Sequence, residues 1–230
     1  MTAPCILIAG CGTGQHSIET ATRCSNCPVT AVDSSLSRLA YAIRKTNELK
    51  LDNLEYLQAD FLHLHQLVKK IDIIESSGVL YHMAEPIAGW RVLVDLLEPS
   101  GLKKIGLSSA SARQYIQEIR KEITARKIGS PKATSIRKFR KSLVESHGEN
   151  HKKLTTSSDF FSLSALSNLI FYVQEHRFAF PQIKESLDEL GLKFCGFENK
   201  DVISKFRESF KNEVDIYDLS LWPQYEERNP

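Results

Sequence analysis

Apolar and polar positions alternate in a repeating strand–helix rhythm through the first half of the chain. Residues 5–9 (Cys-Ile-Leu-Ile-Ala) form a short continuous apolar run stopped by Gly10. That pattern predicts a strand buried on both faces, as in a parallel sheet. Gln15 to about Cys24 reads as a helix, and Pro28-Val-Thr-Ala-Val-Asp33 as a second strand. Ser34 or Ser35 can cap a helix running to about Leu49. Its Leu36, Leu39, Ala40 and Ile43 recur at helical spacing and are expected to face the core. A third strand is expected over Leu54–Ala59, a short helical stretch over Leu62–Lys69 and a fourth strand over Ile71–Ile74. Pro86 opens a helix with Ile87, Trp90, Leu93, Val94 and Leu97 on one side, because proline is well placed at a helix start. Glu98-Pro-Ser-Gly101 reads as a turn before a fifth strand at Lys103–Leu107. Five strands alternating with helices predict an α/β domain whose parallel sheet is covered on both faces.

After Leu107 the rhythm changes. Residues 111–146 read as basic helix interrupted at Gly129-Ser-Pro131, and 147–158 as a polar loop. Helices are expected over Ser162–Glu175 and Gln182–Leu190, the latter ended by Gly191. Leu192-Lys-Phe-Cys-Gly-Phe197 reads as a sixth strand, Val202–Lys211 as a helix, and the remainder as an aromatic tail. The expected organisation is a core at 1–110, a basic helical insertion at 111–180 and a C-terminal segment at 181–230 that completes the core.

Composition narrows the class. The 230 residues are 42% hydrophobic and 25% charged, as in ordinary globular proteins. No apolar run approaches the roughly 18 residues a membrane span requires. The opening residues carry no basic segment ahead of the apolar run, so no signal peptide is expected and the chain reads as cytoplasmic. Five cysteines, an odd number, fit free thiols in a reducing compartment. Cys24-Ser-Asn-Cys27 has CxxC spacing, but no second pair accompanies it, so no metal site is expected. The net charge of +2 is uneven. Ser111–Lys153 carries twelve Lys or Arg against four Glu, a net +8 that leaves the remainder at −6. Tyr115 and Phe139 are its only aromatic residues, too few for a base-stacking surface, so a solvated helical face is the expected reading.

Chemistry concentrates at the strand ends. Gly10-Cys-Gly12-Thr-Gly14 lies between a strand and a helix, where backbone can approach a ligand closely and unpaired helical N–H groups are available. Asp33 follows Gly14 by nineteen residues at the end of the second strand, where an acid can accept from both hydroxyls of a ribose. The dinucleotide fingerprint is GxGxxG; here the third glycine comes one residue early and Gln15 fills its slot. That spacing favours an adenosyl ligand without a pyrophosphate over a nicotinamide dinucleotide.

Ile6-Leu-Ile-Ala-Gly-Cys-Gly-Thr-Gly14 resembles motif I of the class I S-adenosylmethionine-dependent methyltransferases. Ala31-Val-Asp33-Ser-Ser resembles their acidic-loop motif, Gln58-Ala-Asp60-Phe61 their third-strand motif, and Asp72-Ile-Ile-Glu-Ser-Ser-Gly78-Val-Leu-Tyr-His82 their fourth-strand segment. Leu97-Glu-Pro-Ser-Gly101-Leu resembles the turn before strand five, so the likeness covers residues 5 to about 107. Asp159-Phe-Phe-Ser162, Val173-Gln-Glu-His176-Arg-Phe and Pro181-Gln-Ile183 are similar to a bacterial methyltransferase group often fused to tetratricopeptide repeats, none of which is present here.

The resemblance implies a Rossmann-like, doubly wound sheet of order 3-2-1-4-5 and then 6, with S-adenosylmethionine as cofactor. Gly10, Cys11, Gly12 and Gly14 would pass beneath its methionine and ribose portions. Asp33, with Ser34 beside it, would hold the ribose. Asp60 would accept from the adenine amino group with Phe61 beside the ring, and Ser77 and Gly78 would line the methionine side. Tyr81 and His82 would stand at the acceptor, His82 as base or orienting group. The acceptor would be a small molecule or a protein rather than RNA. Such enzymes also carry a helix before the first strand and an antiparallel seventh strand. Only four residues precede Cys5 and no seventh strand is recognisable, so a more open cofactor site is expected. A nicotinamide-dependent oxidoreductase and a cofactor-binding but inactive interaction protein are the competing readings. Glu175-His176-Arg177 is expected to form a structural ion pair.

Overall fold

The apolar run after Cys5 becomes β1 (Ile6–Ala9), with all four residues buried. In the computed structural model, residues 3–66, 70–112, 114–128, 133–171, 175–210 and 214–229 are described. The expected features at Lys69, Gly129–Pro131, Val173–Gln174 and Lys211 lie outside them. β1 pairs in parallel with β2 (Val29–Asp33) and β4 (Ile71–Ser77). β3 (Leu54–Gln58) lies beyond β2 and β5 (Leu97–Gly106) beyond β4, giving the expected order 3-2-1-4-5. The turn expected at Glu98–Gly101 is absorbed into β5 as an irregularity. Its partner count jumps between Ile71↔Leu97 and Ile73↔Leu102, and Ser100 takes φ 68° there.

Helices cover both faces of this sheet. Ala21 of α1 (Gln15–Arg23) and Leu39 of α2 (Leu36–Glu48) pack with Ile6, Ile8, Val29 and Ala31. On the other face Leu93 and Leu96 of α3 (Pro86–Leu96) meet Leu7, Ala9, Val32 and Ile74, with Leu64 from a 3-10 turn at Phe61–Gln66. Each fully buried Val, Leu or Ile among them stabilises the domain by about 1.5–3 kcal/mol.

Two compact units emerge: Met1–Leu107 with Glu185–Lys193, and Ser108–Lys184 with Phe194–Pro230. The segment 181–230, expected to complete the sheet, is thus divided between them. The second unit is helical. α4 (Gln114–Ala125), α5 (Ala133–Val144), α6 (Glu149–Thr155) and α7 (Leu163–Phe171) enclose Ile116, Ile119, Phe139, Leu143, Leu154 and Leu166. α6 occupies part of the expected loop at 147–158. Its only buried residue is Leu154, so no apolar periodicity announces it.

α8 (Phe180–Glu189), α9 (Lys200–Ser209) and α10 (Trp222–Arg228) follow. The sixth strand expected at Leu192–Phe197 is absent from the described sheet, and these residues make no ladder pairing. Gly196 takes φ 118°, incompatible with a regular strand, and the phenylalanines are satisfied by ring packing instead. Phe194 meets Phe197 at 5.0 Å, and Phe197 meets Trp222 at 4.3 Å. Within the Glu175-His176-Arg177 cluster, the Glu175 side chain, 2% exposed, pairs with Arg120 of α4 at 2.8 Å and accepts from Ser108 Oγ at 2.9 Å, so the partner comes from an earlier helix. Among the described residues no helix is long and apolar enough to cross a membrane.

Candidate functional site

The loop from β1 to α1 is shaped by its glycines, each for a different reason. Gly10 donates to the Val32 carbonyl at 2.8 Å and takes φ 85°. A β-carbon there would lie 1.9 Å from Val79 Cγ2, so the loop after β4 closes directly onto the loop after β1. Gly14 caps α1 at φ 86°, and a β-carbon would strike Ala42 Cβ at 2.6 Å and Tyr56 Oη at 3.0 Å. Gly12 differs: a β-carbon on it would meet nothing within 4 Å. Two glycines are boxed in by the fold, and the middle one turns bare backbone toward open space.

Asp33, at the carboxyl end of β2, joins this loop. Its Oδ2 accepts from Gly12 N at 2.8 Å, its Oδ1 accepts from Ser35 N at 2.9 Å, and the residue is 8% exposed. An ionised carboxylate offers about four acceptor positions. Two are used here, which leaves capacity for a pair of hydroxyls. Ser34 is exposed beside it, with its carbonyl accepting from Gln58 Nε2 at 3.2 Å. Cys11 is buried, its N–H donating to Val32 O at 2.9 Å. Burial first, and then the charge of Asp33, push its thiol up to about 12, so it stays protonated and inert.

Asp60 is exposed at the end of β3, and its Oδ1 accepts from Leu62 N at 2.9 Å. This turn-capping bond uses one oxygen and fixes the direction of the other. Phe61 is half-buried against the α3 core cluster. Ser77 and Gly78 are exposed at the end of β4, where Gly78 takes φ 79°. Tyr81 and His82 follow in a 3-10 turn, half-buried, with ring centroids 4.4 Å apart. A β-carbon on Gly78 would lie 3.8 Å from Tyr81 Oη, which places that phenol over the β4 end. All of these residues lie in the first unit, at or just beyond the carboxyl ends of the strands, where open α/β sheets bind ligands.

Beneath the loop lies a polar group that the sequence reading overlooked. Glu75 of β4 contacts His16 Nε2 and accepts from Thr20 Oγ1 at 3.3 Å. Tyr56 Oη bonds Thr46 Oγ1 at 2.8 Å and Ser17 Oγ at 3.3 Å. A carboxylate inside a buried parallel strand requires partners. That requirement was the available signal, and the facing helix supplies them. Among the described residues no set of three or more His, Cys, Asp or Glu is arranged to hold a metal ion.

The family model for a methyltransferase domain matches residues 6–101. The match begins at β1 and ends within β5, so it takes in all five strands of the sheet. An uncharacterized protein of Synechococcus sp. is 31% identical over 121 residues, which are 52% of this chain and 29% of that protein. PKMT2 from Rickettsia typhi in complex with AdoHcy superposes with a TM-score of 0.69 at 19% identity, covering 98% of this chain and 46% of that one. A second structure of PKMT2 gives 0.71 at 18% identity, over 97% and 46%. At those identities the likeness is one of fold, and it extends beyond residues 6–101 to nearly the whole chain. The chain spans less than half the length of these relatives.

Proposed function

We propose that the methyltransferase domain binds S-adenosylmethionine along the Gly10–Gly14 loop and that the protein transfers its methyl group to an acceptor held beyond the end of β4. The observation that carries this reading is the open space at Gly12 beside a carboxylate with acceptor capacity remaining. Gly12 offers close backbone approach to the ribose and methionine portions, and Asp33 receives the two ribose hydroxyls. Asp60 accepts from the adenine amino group through the oxygen not used by Leu62, and Phe61 walls the ring. Ser77 and Gly78 flank the methionine portion.

When bound, S-adenosylmethionine supplies a methyl group on a sulfonium, and the sulfur departs as a neutral thioether. No residue is therefore needed to protonate the leaving group. The protein's task is alignment and exclusion of water. Tyr81 and His82 stand where an acceptor atom would enter. His82 takes up the acceptor's proton where one must be lost, and Tyr81 orients the acceptor over the β4 end. The basic helices favour a small molecule or a protein as acceptor over RNA. Arg120, Lys121, Arg126 and Lys141 already pair with Glu175, Glu118, Glu122 and Glu145, which lowers the charge available to phosphates.

Calorimetry with S-adenosylmethionine, its demethylated product and NAD tests the cofactor assignment. Binding of the first two without NAD is expected; binding of NAD alone overturns it. A labelled-methyl assay on cell extract then separates an enzyme from a binding protein.

A further inference from the structure

At the opposite end of β1 from the glycine loop lie three free cysteines. Cys5 precedes β1, Cys24 ends α1, and Cys27 precedes β2; all three are partly accessible. Cys27 N donates to Cys24 O at 2.9 Å, closing a four-residue turn through Ser25 and Asn26. A turn closed in this way holds its first and last Cα atoms within about 7 Å, which overlaps the roughly 4.4–6.8 Å window that a disulfide spans without backbone movement. The turn is held from outside as well. Asn53 Nδ2 donates to the carbonyls of Ala21, Cys24 and Cys27 at 3.1, 3.1 and 3.0 Å, pinning both ends of the CxxC segment. The two side chains meet: burial first, and then the charge and hydrogen bond of Cys24 and the nearby Cys5, raise the Cys27 thiol.

We propose that Cys24 and Cys27 are a reversible dithiol–disulfide pair, oxidised by low-molecular-weight disulfides. The Cys24 thiolate attacks one sulfur of the small disulfide, forming a mixed disulfide and expelling one small thiol. Cys27 loses its proton and attacks the Cys24 sulfur, forming the intramolecular S–S bond and expelling the second small thiol. Two electrons pass from the cysteine pair to the small disulfide. The two protons lost by Cys24 and Cys27 end on the two released thiols. Metal binding is not the favoured use of these thiols, because no three-ligand grouping suited to a metal is present among the described residues. Cys11, buried and inert, and Cys195, exposed in the second unit, are internal references.

The test treats the whole protein with excess oxidised glutathione, blocks remaining thiols with N-ethylmaleimide and maps tryptic peptides by mass without reduction. Cleavage after Arg23 and Arg38 releases one peptide carrying both cysteines. It is expected to be lighter by two hydrogens and unlabelled, and to take two maleimide groups once dithiothreitol is added before blocking. Two glutathione adducts or two maleimide labels on the oxidised sample would overturn the pairing, as would a cross-link from either residue to Cys5. In Cys27→Ser, Cys24 is expected to retain one glutathione, the intercepted intermediate. If Cys24 takes none, the order of attack is wrong.

Discussion

Gly12→Ala separates the ligand-facing glycine from the two that the fold requires. At φ 56° the position lies in the left-handed region, which costs an L-residue about 1–2 kcal/mol. Loss of chain freedom in the unfolded state offsets about 0.4–1 kcal/mol of that. The added methyl meets no protein atom within 4 Å, so no packing penalty follows. The net loss is at most about 1.6 kcal/mol, or a drop in Tm of up to about 6 °C for a chain of this size. The Gly12 N–H to Asp33 is retained, so the carboxylate proposed to hold the ribose keeps its orientation. Donor affinity is expected to fall far more than stability, by at least about tenfold, a loss of about 1.4 kcal/mol, because the methyl occupies the volume assigned to the ligand. Gly10→Ala should behave in the opposite way. Its β-carbon at 1.9 Å from Val79 adds an overpacking cost of about 1–3 kcal/mol to the backbone strain. Denaturant unfolding gives the stabilities, and calorimetry with S-adenosylmethionine gives the affinities. Gly12→Ala binding within twofold of the unmodified protein would refute the reasoning, as would a stability loss equal to that of Gly10→Ala.

Three further outcomes are expected. Asp33→Ala removes the proposed charged hydrogen bonds to the ribose, each type worth about 1.5–3 kcal/mol, so donor affinity should fall by about 10- to 150-fold in the same calorimetric assay. Lys103 is pushed down to about 6 by burial beneath α3, where its Nζ donates to Trp90 O at 3.2 Å. Between about pH 6 and its unfolded value of 10.5 the unfolded chain binds the extra proton, so stability rises with pH across that window. Melts of Lys103→Met should lack that rise; a parallel pH profile would show that the lysine is solvated. Trp222, 1% exposed and stacked on Phe206 at 4.0 Å, should cost about 3–5 kcal/mol when changed to Ala, read by denaturant unfolding.

β1 was legible because a parallel strand buried on both faces reads as an apolar run; the order of the five strands came from the methyltransferase resemblance and not from the apolar pattern. The side chains of α2 show where that legibility stops. Leu36, Leu39, Ala40 and Ile43 were expected inward, yet Leu36 is 65% and Ile43 43% exposed. Leu39, Ala42 and Thr46 are buried instead. Gly14 approaches so closely that only the small Ala42 fits, and Thr46 is admitted because its hydroxyl bonds Tyr56. Close approach and hydrogen-bond satisfaction therefore chose the inner face, and apolar count did not. Trp222-Pro-Gln-Tyr225 was read as tail for a similar reason. Its helix is too short for a period to show, and its burial depends on Phe197 and Phe206 far back in the chain. At the site, the glycines and Asp33 could be placed from spacing alone. The contact of Val79 with Gly10 and the partners of Glu75 required the register of β4 against β1.

Glu226 of α10 accepts from Ser109 Oγ at 3.0 Å and Ser111 Oγ at 2.6 Å, more than a hundred residues upstream. During synthesis these two hydrogen bonds therefore cannot form until Glu226 has left the ribosome. Such sequence-distant closure slows folding and exposes apolar surface in the interval. Chains released early, before residue 226, would be the species most exposed to aggregation and proteolysis.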